Sequence, residues 1–148
     1  MKKGAQLLGF VMFLTLSAVV FAGTFKVYPG ARLYDVVESK QPEAVNKISK
    51  TQKIIIFTTD DLFENVVAFY RGTAREYRIP GSSGKPTKLA SGQELKEAYF
   101  ILDDAADIMT SKHWIKIQRP YLGKGQTREG FHGKEVTAII EEDKRSYP

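Results

Sequence analysis

His113 and His132 are the only imidazoles in a 148-residue chain that has no cysteine. A zinc site would therefore have to use both and add carboxylates such as Asp104 or Glu135. Their spacing fits no familiar metal motif, and two solvated loop histidines account for them without a ligand. The adjacent acids Asp60 and Asp61 could hold a cation or act as a carboxylate pair, yet their place in a turn before a helix makes capping the better account. Ser82, Ser83, Ser91 and Ser111 lack a flanking nucleophile-elbow pattern, and Gly81–Gly84 lacks the Lys-Ser/Thr of a phosphate loop. On these grounds no catalytic residue, metal ligand or cofactor is assigned.

One stretch does carry a binding pattern. Lys112, Lys116, Arg119, Lys124, Arg128 and Lys134 are interleaved with Trp114, Tyr121 and Phe131, and cations among aromatic rings suit phosphate or sugar ligands. Residues Trp114–Gln118 alternate as a half-buried strand, with Ile115 and Ile117 facing the core and Lys116 and Gln118 sent to a wet face. Arg119 and Tyr121 follow at the Pro120 turn and Lys124 lies in the loop after it. Lys116, Arg119, Tyr121 and Lys124 are accordingly the candidate ligand surface. In the simpler account, Trp114 and Tyr121 anchor strand ends in the core while the cations keep a sheet face soluble.

The address of the chain is written in its first residues. Lys2 and Lys3 precede an apolar run from Leu7 to Phe21 that closes in Val20-Phe21-Ala22, a secretory signal pattern cleaved after Ala22. The run is shorter than the ~20 residues a spanning helix needs, and without cysteine there is no lipobox, so no stable membrane span is expected after cleavage. Residues 23–148 then form one domain large enough to bury a core without disulfides. Losing Lys2 and Lys3 leaves 20 basic against 17 acidic side chains, a weak surplus that favours solubility more than any ligand. The expected location is the bacterial periplasm or the medium. There the partner would be an anionic envelope component or another envelope protein, and not nucleic acid.

The elements that position these residues are organised around Ile54–Tyr70. Ile54–Phe57 reads as a central strand, and Asp61-x-x-Glu64 as a capping box opening a helix over 61–71. That helix buries Leu62, Phe63, Val66, Val67, Phe69 and Tyr70 and stops at a left-handed Gly72. Upstream, Thr24–Gly30 reads as a short edge strand. The spacing of Leu33, Val36 and Val37 predicts a helix over Ala31–Ser39, and Pro42 starts a second short helical piece with Val45 and Ile48. Downstream, Arg75–Ile79 is a short strand and Gly81–Pro86 an exposed turn. A strand follows from about Glu97 to Leu102, with Ser91-x-x-Glu94 as a competing helical start. Ala105–Met109 reads as one helical turn, Trp114–Gln118 as a strand, Gly123–Gly133 as a long loop, and Glu135–Glu141 as the last strand, with a frayed tail from Asp143. The fold class is α+β: an antiparallel sheet of about 4–5 strands with one main amphipathic helix packed on it, in strand-helix-strand-strand-strand order.

Thr58-Thr59-Asp60-Asp61 before a helix ending in Phe69-Tyr70 resembles the strand–helix core of a group of small exported bacterial proteins of unknown function. Val27-Tyr28-Pro29-Gly30-Ala31 and Trp114-Ile-Lys-Ile-Gln-Arg-Pro-Tyr-Leu-Gly123 are similar to that group's other landmarks. The resemblance implies an envelope location and a compact domain, and transfers no catalytic residue. A looser resemblance is to the βαβββ module of the glyoxalase and dioxygenase superfamily. Those enzymes place His or Glu metal ligands on their first and last module strands, and Ile54–Thr59 offers none. The expected function is a non-enzymatic periplasmic binding or accessory domain; the alternative is a small metal-dependent or hydrolytic enzyme of the glyoxalase-like type.

Overall fold

The computed structural model describes residues 24–41, 50–123 and 133–145. The leader, the helical piece after Pro42, Lys124 and His132 lie outside them. The chain forms β1 (Arg32–Gln41), β2 (Lys50–Thr59), α1 (Phe63–Arg71), β3 (Arg75–Tyr77), β4 (Thr87–Lys88), β5 (Glu94–Ile101), β6 (His113–Arg119) and β7 (Thr137–Asp143). These strands make one sheet of seven in the order β1-β2-β7-β6-β5-β3, with β4 also on β5 and each pair antiparallel. The class is α+β, with more strands than the sequence suggests and a different order. No helix among the described residues is long and apolar enough to cross a membrane.

Two strands are added, the short β4 and the long β1, and at β1 the spacing of Leu33, Val36 and Val37 predicts a helix. A register shift between Leu33 and Asp35 inserts Tyr34 as an extra residue, so Leu33 opposite Phe57 and Val36 opposite Ile55 share one face three positions apart. A bulge has thus given a strand the spacing of a helix. On β2, Phe57 packs toward the α1 side, while Ile54 and Ile56 join a cluster on the other side with Tyr121, Ala138, Val136 and Ile140. Both faces of that strand are therefore apolar, which is why its sequence shows no alternation.

The main core lies between α1 and the sheet. Val66, Val67 and Tyr70 meet Phe100, Leu102, Ile115, Ile117 and Ile139, and Val66, Phe100, Ile115, Ile117 and Ile139 are fully shielded from solvent. Residues 24–31 are not an edge strand but a strap laid against the helix. The Phe25 ring sits 5.7 Å from Phe57 and 6.3 Å from Tyr70, Tyr28 meets Phe69 edge-on at 5.3 Å, and the Tyr70 hydroxyl donates to the Lys26 carbonyl at 2.8 Å. The strap is held by side chains of α1 and by Phe57 of β2, and it joins no strand ladder.

The helix stops at Gly72 as its sequence suggests, but not through a left-handed residue, and its start is not the expected capping box. Leu62 is the N-cap and no side chain caps it. Asp61 instead accepts a bond from the Tyr28 hydroxyl at 2.7 Å, and its carbonyl accepts from Thr137 Oγ1 at 2.6 Å, which fixes the turn against β7. Glu64 reaches sideways to Lys96 Nζ at 2.7 Å. Gly72 stays right-handed at φ −79°, its N–H donating to the Phe69 carbonyl. Because the Glu64–Lys96 pair is exposed, Glu64→Ala is expected to cost less than about 1 kcal/mol in a thermal melt.

Past the helix, β5 opens at Glu94, earlier than expected, and Ser91 holds a turn with Gln93 and starts no helix. Residues 105–109 form bends and a turn, with no helical turn among them. Strand β7 runs through Asp143, which is buried and so is not a frayed tail.

Candidate functional site

Strand β6 alternates as its sequence predicts, with Ile115 and Ile117 in the α1 core. Its other face is not the wet surface expected. Gln118 is buried, donating to Glu97 Oε1 at 3.1 Å and accepting the Leu122 N–H at 3.2 Å. Lys116 pairs with Glu97 at 2.7 Å and lies 5.7 Å from the centre of the Tyr99 ring. Arg119 donates to the Asp61 carbonyl and to Thr137 Oγ1, both at 3.1 Å, so it ties the end of β6 to the turn before α1. Tyr121 is buried edge-on against Tyr34 at 5.4 Å, and burial pushes its phenol above the usual range. Trp114 packs beside Tyr99, and its indole N–H is sealed from solvent with no hydrogen-bond partner among the described residues. Lys116, Arg119 and Tyr121 are thus each engaged within the fold. Lys124 lies outside the described residues.

Two other places have the shape or the chemistry of a site. The first arises because β3 and β4 pair with the same edge of β5, at Tyr99–Ile101 and at Glu94–Leu95. Residues 78–86 must arch between them while β5 advances only through Lys96–Ala98. Gly81 and Gly84 take positive φ of 78° and 67° to make that arch, and the Ser82 and Ser83 hydroxyls accept the Gly84 and Lys85 N–H groups. Beneath it lies a cleft of about 760 Å³ with β5 as one wall and α1 as another. Glu64 pairs with Lys96, and Arg71 holds Glu76 at 2.8 Å, a hydrogen bond that keeps the Glu76 carboxyl below its ordinary pKa. Arg78 and Lys85 on the arch make no ion pair among the described residues. The loop composition is legible in the sequence; the cleft is not, because it depends on two strands sharing one partner.

The second place is a buried polar group on the α1 side of β6 and β7. His113 stands directly across from Asp143, and Glu141 is two residues before Asp143 on the same face. His113 Nε2 lies 2.8 Å from Glu141 Oε1, and one ligand atom from each of the three residues falls within 4.8 Å of the others. They are 2%, 7% and 3% exposed. The reading of His113 as a solvated loop residue is thus overturned: β6 begins one residue sooner than its apolar alternation shows. Its partners are Glu141 and Asp143, not Asp104 or Glu135. Arg145, half-exposed, covers Asp143 with Nε and Nη2 bonds of 2.9 and 2.7 Å.

Asp103 sets the start of β6 and hence His113. Its carboxylate accepts the Lys112 N–H at 2.7 Å, the Ser111 hydroxyl at 2.9 Å, and the Ala105 and His113 N–H groups at 3.2 Å. Burial pushes this carboxyl upward, but the four bonds together outweigh it and hold the pKa below the usual value. Around the Asp60–Asp61 turn there is a smaller hollow of about 240 Å³, lined also by Gly30, Arg32, Thr58 and Thr59. No family model, no curated protein and no solved structure matches the chain.

Proposed function

We propose that the protein is an exported, non-enzymatic binding or accessory domain of the bacterial envelope, and that it receives an anionic envelope component in the cleft beneath residues 78–86. The observation that carries this reading is the cleft's charge pattern. Of the cations lining it, Arg71 and Lys96 are spent on Glu76 and Glu64, and Glu97 is held from outside by Lys116. That leaves Arg78, which also acts on Glu76 through space, and Lys85 against the one remaining carboxylate, Glu94, a small positive excess on an arch that also carries the Ser82 and Ser83 hydroxyls. Tyr77 and Tyr99 add apolar surface suited to the face of a sugar. Export is supported by the Lys2-Lys3 start and the apolar run to Ala22. The enzyme alternative would have to draw its acid or base from the cleft carboxylates or from the His113 group, and the latter is buried.

The test is retention of the mature chain on anionic lipid vesicles and on a phosphorylated oligosaccharide column. Arg78→Ala/Lys85→Ala is compared with Lys116→Ala/Arg119→Ala, after melts show which variants fold as wild type. Wild type should be retained at low salt and released as ionic strength passes 0.1 M, where exposed charges are screened over ~10 Å. The Arg78/Lys85 variant should lose at least about three-fold of that retention, the effect of roughly 0.7 kcal/mol. Retention equal to wild type in that variant would overturn the cleft. Loss confined to the Lys116/Arg119 variant would return the site to β6.

A further inference from the structure

We propose that His113, Glu141 and Asp143 form a structural site for one divalent cation of the zinc or manganese type, pinning the start of β6 to the end of β7. This site is separate from the cleft and does not rest on it. An imidazole nitrogen with two carboxylate oxygens is a donor set for borderline N/O-binding divalent ions; a softer metal would call for the thiolate ligands this chain lacks. The three residues come from neighbouring antiparallel strands in the middle of the sheet. His113 and Asp143 are paired across the ladder and Glu141 lies on the same face, so a rigid backbone sets their convergence.

The distances are near those of a coordination shell. Donors bonded to a common ion at ~2.0–2.2 Å lie roughly 3–3.5 Å apart in a tetrahedral arrangement. His113 Nε2 and Glu141 Oε1, at 2.8 Å, are already that close, and the ligand atoms of all three residues lie within 4.8 Å of one another.

Charge also favours exchange. As the site stands, His113 Nε2 and Glu141 Oε1 are hydrogen-bonded, and the Arg145 guanidinium pairs with Asp143. A dication bonded to all three groups takes the place of that guanidinium between the two carboxylates. On binding, the ion gains three donor bonds in place of the His113–Glu141 hydrogen bond, whose proton moves off the coordinating nitrogen to the other ring nitrogen or to solvent, and Arg145 swings away from Asp143. The Arg145 side chain is about half exposed (52%) and can turn to solvent, whereas the carboxylate it covers is 4% exposed. Arg145 is thus a removable plug over an otherwise closed group. A bidentate carboxylate or a single water completes the shell.

The probe is Zn²⁺ added to chelator-stripped protein. Calorimetry should show one ion bound per chain, and the melting temperature should rise with free Zn²⁺ as ligand linkage requires, since an unfolded chain has no assembled site. Only two histidines are present, so two sets of imidazole ring signals are expected by NMR. One set should shift on Zn²⁺ addition, and His132→Ala should leave that shifting set and the affinity intact. Glu141→Gln and Asp143→Asn, close in shape to the native residues, should each weaken binding by at least about ten-fold, or 1.4 kcal/mol. Arg145→Ala should bind more tightly than wild type. The proposal is overturned if wild type shows no saturable binding, if His132→Ala abolishes it, or if a folded Glu141→Gln binds as well as wild type. Should either buried variant fail to fold, the ring signals of the wild type and the affinity of Arg145→Ala still decide, and an unmoved His113 signal is a negative result.

Discussion

Val66→Asp leaves the chain unfolded at neutral pH and room temperature. Val66 is 0% exposed in the middle of α1 and packs in the cluster that contains Phe100, Ile115, Ile117 and Ile139. Replacing it removes about 1.5–3 kcal/mol of burial, and the new carboxylate finds only aliphatic and aromatic neighbours. Either it stays desolvated or it prises the helix from the sheet, and both routes bring the loss above about 4 kcal/mol. A domain of this size has about 5–15 kcal/mol in total. Circular dichroism and a thermal melt check the outcome, and a melting curve like that of wild type would mean that α1 is not the keystone of the core.

The second large effect concerns Asp103, and it carries a pH signature. Asp103→Asn should lose about 2–3 kcal/mol at pH 7, because a carboxylate gathering the Lys112, Ala105 and His113 N–H groups and the Ser111 hydroxyl becomes an amide with one acceptor oxygen. The folded-state pKa lies below the unfolded value, so this carboxyl contributes stability that is fully present above the unfolded carboxylate range near ~3.9. The contribution is lost as pH falls through the folded value. Urea unfolding of both proteins at pH 7 and again near pH 2 should show the gap between them shrinking at low pH. A gap that is constant across that range would mean the carboxylate charge is not what holds residues 103–113 in place.

What could be read in advance depended on how local each signal is. The apolar face of α1 and the alternation at Ile115 and Ile117 each have one dominant period within a single element, and both are visible in the sequence. Strand β1 defeats the same logic because the extra residue at Tyr34 turns a two-residue repeat into a three-residue one. Asp61 and Glu64 match a capping box in type and spacing, yet Tyr28 and Lys96 offer each of them a partner from another part of the chain, and the tertiary contacts win. The opposite face of β6 is legible as a face but not as a wet one, since Glu97, which holds both Lys116 and Gln118, comes from β5.

The buried group shows the same limit. His113 and Asp143 are separated by most of the C-terminal part of the chain and meet only because β6 and β7 pair in one register. Following the period of β7 two residues beyond Glu141 is the one step in the sequence that would have placed Asp143 inside. The cleft is harder still, for it exists only where β3 and β4 share the edge of β5 and leave 78–86 to span the gap.

Trp114 gives the molecule an intrinsic light source. It is the sole tryptophan, it packs 6.3 Å from Tyr99 across β5 and β6, and its N–H is sealed from solvent with no acceptor among the described residues. An indole held this way emits at short wavelength, and the emission moves to the red when water reaches the ring. Excitation of the tyrosines should also feed that emission through Tyr99 while the two strands remain docked. A single optical channel therefore follows the β5–β6 seam, next to the strand end where His113 and Asp103 sit, without a label and without altering any residue of the fold.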